Sequence, residues 1–220
     1  MLKGLVAAMI VGSLSIGPAL ASGRRPVRAR CPTGRVMLRT NSVVVYRRLV
    51  PPTGGADALG SDAVCLSKTG RRIRLGQYNI GGGERIENLY YRTAGRFLGF
   101  DAADIGSRDG DHTRLVLLNL TTGRRRSLDE GGGLSIRPPG TLVRATALAL
   151  AANGSMVWIA RVINVDANGQ EAPPTYELHE LTQTTSRVLA SGSDIRPTAL
   201  RLSGGRVSWV QGGTMRTSPA

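Results

Sequence analysis

Lysine is almost missing from this 220-residue chain, which carries it only at Lys3 and Lys68, so the formal charge of +14 rests on arginine. Histidine and cysteine are just as scarce, with two of each. His112 and His179 do not form a His-Glu-x-x-His pair, and neither cysteine has a close Cys or His companion, so no transition-metal site is expected. Gly-x-Ser-x-Gly is also absent: the nearest run, Gly12-Ser13-Leu14-Ser15-Ile16-Gly17, does not fit the nucleophile elbow and lies in the leader. The glycine runs at 81–83 and 131–133 are not followed by the Lys-Ser/Thr of a phosphate loop, and they read as linkers. No catalytic residue, no metal and no cofactor are therefore expected. Aromatic residues make up 4 %, which leaves few rings to stack on bases and argues against nucleic acid as a partner.

Long apolar runs are absent after the first twenty residues. Lys3, an apolar stretch over residues 5–16 and then Pro18-Ala19-Leu20-Ala21-Ser22 have the layout of a secretory signal, with cleavage expected after Ala21. A membrane anchor is the competing reading, but the run is shorter than the roughly 20 residues that span a bilayer. The expected products are a signal peptide (1–21) and one mature domain (22–220) with no transmembrane anchor, secreted or associated with the cell envelope. In that compartment Cys31 and Cys65 are expected to form a disulfide, two free thiols being the alternative. The chain-entropy model values the bridge at roughly 3.5 to 4 kcal/mol.

Helical periodicity is nearly absent too. Runs of four to eight residues with β-branched or alternating apolar positions recur between Gly, Asn, Thr and Asp clusters, and they predict antiparallel β-structure throughout. Internal similarity sharpens this. Leu148, Leu150, Asn153-Gly154 and Trp158 align with Leu200, Leu202, Gly204-Gly205 and Trp209, each set a strand, a tight turn and a returning strand. The segment 93–100 is a weaker copy, and 36–46 a candidate without the glycine turn. A second hairpin type has Thr69-Gly70-Arg71 or Thr122-Gly123-Arg124 at its tip, with a looser copy over 180–189. Equivalent tryptophans in repeated hairpins are expected in the core rather than at a sugar-stacking mouth.

Together these patterns predict an all-β chain of repeated four-strand antiparallel units over about 27–76, 89–130, 144–190 and 196–220. This describes a β-propeller-like array of about four blades with the last incomplete, an irregular β-sandwich being the alternative. Residues 26–31 are the available donor of a closing strand for the last unit. Segments 49–62, 101–112 and 164–174, rich in Gly, Pro, Asp or Asn, are expected as loops within units and as the variable binding surface.

The glycine turn followed by an alternating strand with Trp, and the Thr-Gly-Arg turns at 69–71 and 122–124, resemble the TolB-like and related propeller repeats of exported bacterial proteins. The resemblance spans most of residues 22–220 on short motifs. It implies a folded interaction platform that binds partners more often than it catalyses.

Arginine is densest at 24–30 and at Arg124-Arg125-Arg126. A strongly positive protein attracts polyanions, yet an Arg-for-Lys bias with abundant Ala and Gly is also what a GC-rich coding sequence produces, and this compositional origin is favoured. The expected function is non-enzymatic binding by a monomer to a protein or an acidic envelope polymer. The competing reading is an enzyme acting on an envelope polysaccharide with Asp101, Asp104, Asp109 and Asp111. A calcium site at those residues, or at Asp166, Asn168 and Glu171, does not match the twelve-residue calcium loop.

Overall fold

A computed structural model describes residues 31, 34–50, 58–81, 84–107, 110–130 and 141–220. The signal segment with its Ala21 site, the arginines at 24–30, most of the proposed donor strand, Asp109 and the 131–133 glycines lie outside the described residues.

All named elements are strands paired in antiparallel fashion, and no helix occurs among the described residues. The first unit contains β1 (Arg35–Arg39), β2 (Val43–Val50), β3 (Ala58–Leu66) and β4 (Arg72–Gly81). The second contains β5 (Glu84–Ala94), β6 (Phe97–Ser107), β7 (Gly110–Asn119) and β8 (Arg125–Glu130). The third has β9 (Thr141–Leu150), β10 (Met156–Asn164), β11 (Thr175–Leu181) and β12 (Ser186–Gly192), and the fourth only β13 (Ile195–Ser203), β14 (Arg206–Gln211) and β15 (Thr214–Pro219). Each unit is a meander in chain order. Among the described residues no strand pairing joins the first unit to the last.

The two aligned hairpins have the same register: Trp158 lies opposite Leu148, and Trp209 opposite Leu200. Gly154 shows why the first turn needs glycine. Its φ is +92°, and a Cβ there would fall 2.9 Å from the Phe97 ring.

Three apolar cores lie between successive units, none within a unit. Val43, Val45 and Val64 of the first unit meet Leu98, Phe100 and Leu118 of the second. On the other face of the second, Phe97, Leu115 and Leu117 meet Val143, Leu148 and Trp158. Val157, Ile159 and Leu178 then meet Ile195, Val207 and Trp209. This accounts for the run Met-Val-Trp-Ile-Ala in β10, where both faces of the strand are covered, so that period-2 alternation gives way to a continuous apolar stretch.

Two expectations are corrected. The first and second units are not separated by a linker: β4 and β5 pair at their tips, Asn79 with Ile86 and Gly81 with Glu84, and link eight strands into one sheet. In their described parts, segments 49–62 and 101–112 are strand rather than loop. β2 and β3 pair out to Val50 opposite Leu59, and β6 and β7 to Ser107 opposite Gly110. Their polar residues suit a strand because neighbouring strands neutralise or cover them, as Arg47 does for Asp62. Segment 164–174 does contain a turn, where Asp166 Oδ1 accepts from the amides of Asn168 and Gln170.

Arginine ties the units together. Arg71 Nη1 donates to the Thr121 carbonyl at 2.8 Å, Arg126 Nη1 to the Thr182 carbonyl at 2.8 Å, and Arg187 Nη2 to the Pro219 carbonyl at 3.3 Å. Each side chain follows an outer turn of one unit and reaches the next. Part of the arginine content is therefore structural.

Cys31 and Cys65 are joined, with 5.7 Å between their Cα atoms. The bridge holds the start of the described chain against β3. Cys31→Ser with Cys65→Ser is expected to lower the unfolding free energy by about 3 kcal/mol in urea titration. A change below about 1 kcal/mol would show that the cross-link does not restrain the unfolded chain.

Candidate anion-binding groove

The turn between β5 and β6, the end of β7 and the start of β8 converge beside the β11–β12 turn of the third unit. They enclose a groove of about 380 Å³. Its walls carry Arg96, Arg124, Arg125 and Arg126, with no carboxylate among the lining residues. Asn119 shapes the turn, its Oδ1 accepting from the amides of Thr121 at 3.0 Å and Thr122 at 3.2 Å. Gln183 and Thr184 form the opposite wall, and Phe97 and Leu117 contribute apolar surface.

The guanidinium groups are held differently. Arg96 lies over the Phe97 ring, 5.3 Å from its centroid, a cation–π arrangement. Arg125 Nη1 donates to the Leu75 carbonyl at 3.1 Å, and burial lowers its pKa from the usual arginine value. Arg126 is the tie to Thr182. None of the four forms an ion pair among those described, so their charge is not cancelled locally. Planar guanidinium groups facing a partly enclosed space suit carboxylate, sulfate or phosphate groups. The groove takes in all three residues of the 124–126 run but also Arg96, which sequence distance hides; only the fold brings the β5–β6 turn beside the β7–β8 turn.

The acidic residues behave otherwise. Asp101 and Asp104 lie on β6, and Asp111 falls on β7. Asp101 is 2 % exposed, and its Oδ1 has no hydrogen-bond partner among the described residues. Burial pushes its pKa up to about 7, opposed by a hydrogen bond from the Arg114 amide and reinforced by the negative charge of Glu87. Asp101 and Asp104 do not line this groove. The expected binding loop of carboxylates is thus, in its described part, a strand.

A buried polar network lies between the first and second units. Arg47, 2 % exposed, makes a two-pronged contact with Asp62, 0 % exposed, at 2.7 and 2.9 Å. Asn88 Nδ2 and the Tyr91 hydroxyl donate to Asp62 Oδ2 at 2.9 and 2.8 Å, and the Arg47 guanidinium lies 3.8 Å over the Tyr78 ring. Burial acts to lower the Arg47 pKa, but the hydrogen bond and charge of Asp62 outweigh it and raise it. Burial and the Asp62 charge likewise raise the Tyr91 pKa. Tyr91 reaches Asp62 through a bulge in β5 at which Tyr90 adopts φ +53°.

Both tryptophans are buried, Trp158 completely. His179, expected on the surface, is 5 % exposed and stacks on Trp158 with ring centroids 5.0 Å apart, while its Nε2 lies 2.9 Å from Glu177. The reason is register: His179 is the cross-strand partner of Trp158. Among the described residues no group of three or more His, Cys, Asp or Glu could hold a metal ion. No helix among them is long and apolar enough to cross a membrane. The chain matches no protein-family model and no curated protein.

Proposed function

We propose that the chain is exported, cleaved after Ala21, and acts as a non-enzymatic binding protein that holds an acidic ligand in the arginine groove between its second and third units. The observation that carries this reading is the convergence of Arg96, Arg124 and Arg126, without a lining carboxylate, on one groove of about 380 Å³, with Arg125 turned toward the first unit at its edge. Stacked meanders with pairwise cores supply a rigid support for such a site, as the blades of a propeller-like array would. The disulfide fits an oxidising compartment.

Arg96 and Arg124 belong to turns, and their side chains make no hydrogen bond to protein groups among those described, so alanine there removes charge without disturbing a core. Arg96→Ala and Arg124→Ala are each expected to weaken binding of the mature protein to acidic glycans about tenfold, and to flatten its salt dependence. Binding would be read on acidic and neutral glycan arrays at two salt concentrations. Unchanged affinity in both variants would remove the groove as the site.

A further inference from the structure

We infer that the ligand is an acidic polysaccharide chain that crosses the edge strand β8 and occupies a second groove on its other face, an inference that rests on the arginine groove being the binding site. Among the described residues β8 pairs only with β7 and forms a rim of its sheet. Its side chains alternate across that rim. Arg126 lies opposite Leu117, which faces the third unit, and Arg125 lies opposite Leu118, which faces the first. On the side of the first unit is a groove of about 360 Å³, walled by Arg114, Gln77 and Ser127, again without a carboxylate in its lining. Arg125 lines both grooves.

Each space is at the low end of small-ligand pockets. One charged sugar unit or two would fill it, so a ligand using both must be a chain. The chemistry of the walls selects the type of chain. Amide and hydroxyl side chains recur on both sides and can both donate to and accept from sugar hydroxyls. The aromatic ring of the first groove is buried and lies beneath Arg96, leaving no platform on which a base could stack. Arg114 is held by an exposed ion pair with Asp129, which lies outside the lining and offsets its charge in the free protein.

The test is affinity against chain length. The mature protein would be titrated with oligogalacturonates and with heparin oligosaccharides of defined length, with malto-oligosaccharides and polyuridylate as comparisons. The expected result is at least a tenfold gain in affinity from dimer to hexamer in an acidic series. Arg114→Ala should abolish that gain, and Asp129→Asn should enlarge it. Binding that is independent of length and lost only in Arg96→Ala and Arg124→Ala would overturn the second groove and keep the first. Failure of every acidic oligosaccharide to bind would overturn both, and tighter binding of polyuridylate would overturn the polysaccharide assignment.

Discussion

Asp62→Ala is expected to lower the unfolding free energy by about 3 to 5 kcal/mol, the cost of leaving a buried charge without its partner. The substitution removes both carboxylate oxygens that hold Arg47 and leaves the guanidinium with Glu87, 3.5 Å away, and the Asn88 carbonyl at 3.3 Å. It also deprives the Asn88 amide and the Tyr91 hydroxyl of their acceptor. Glu87 is already engaged by Arg85 at 2.6 Å and cannot take over the geometry of a two-pronged pair. The double variant Arg47→Met with Asp62→Leu is expected to recover part of the loss, because no buried guanidinium is then left without its partner, while the Asn88 amide and the Tyr91 hydroxyl still lack their acceptor. Urea unfolding of the two variants beside the parent protein decides the matter. A loss below about 1 kcal/mol in Asp62→Ala would mean that water reaches the network and screens it.

Asp101 gives the second large effect, visible as a dependence on pH. A free aspartate titrates near 3.8, while Asp101 in the folded chain titrates near 7. Between those values the folded state binds more protons than the unfolded state, so the contribution of Asp101 is most favourable below about pH 4, is lost as pH rises, and is constant above about pH 7. The difference amounts to at most about 4 kcal/mol. Asp101→Asn should therefore match the parent protein at pH 3.5, gain on it steadily as pH rises, and exceed it in stability by up to that amount at pH 8. The quantity to read is the difference between the two unfolding curves, since other groups titrate in both proteins. Parallel curves across this range would place the Asp101 carboxylate in contact with water.

These two residues also mark where the sequence could and could not be read. The strand–turn–strand pairing of Leu148 with Trp158 and of Leu200 with Trp209 follows from local pattern alone, because a glycine turn fixes the register and period-2 alternation fixes the face. The described parts of segments 49–62 and 101–112 misled for the opposite reason. Acidic residues in a run of Gly and Asp have the signature of a loop, and what makes Asp62 compatible with a buried strand is Arg47 on the adjacent strand, a relation invisible in composition. His179 was misplaced for want of register, since its burial comes from facing Trp158 across the ladder. The triple arginine at 124–126 was visible as a dense charge. Its enclosure with Arg96, Gln183 and Thr184 depends on two units meeting face to face, and no short-range pattern encodes that.

The ties between units have one more consequence. In each, the arginine is specific but the receiver is a main-chain carbonyl, on Thr121, Thr182 and Pro219 in turn. Every amino acid offers that oxygen, so drift at the receiving positions costs the contact nothing so long as the backbone keeps its path. At the donating positions only a long, forked cation will reach. Sequence divergence among such units should therefore be lopsided, with the giver of each bond held fixed and its receiver free to wander.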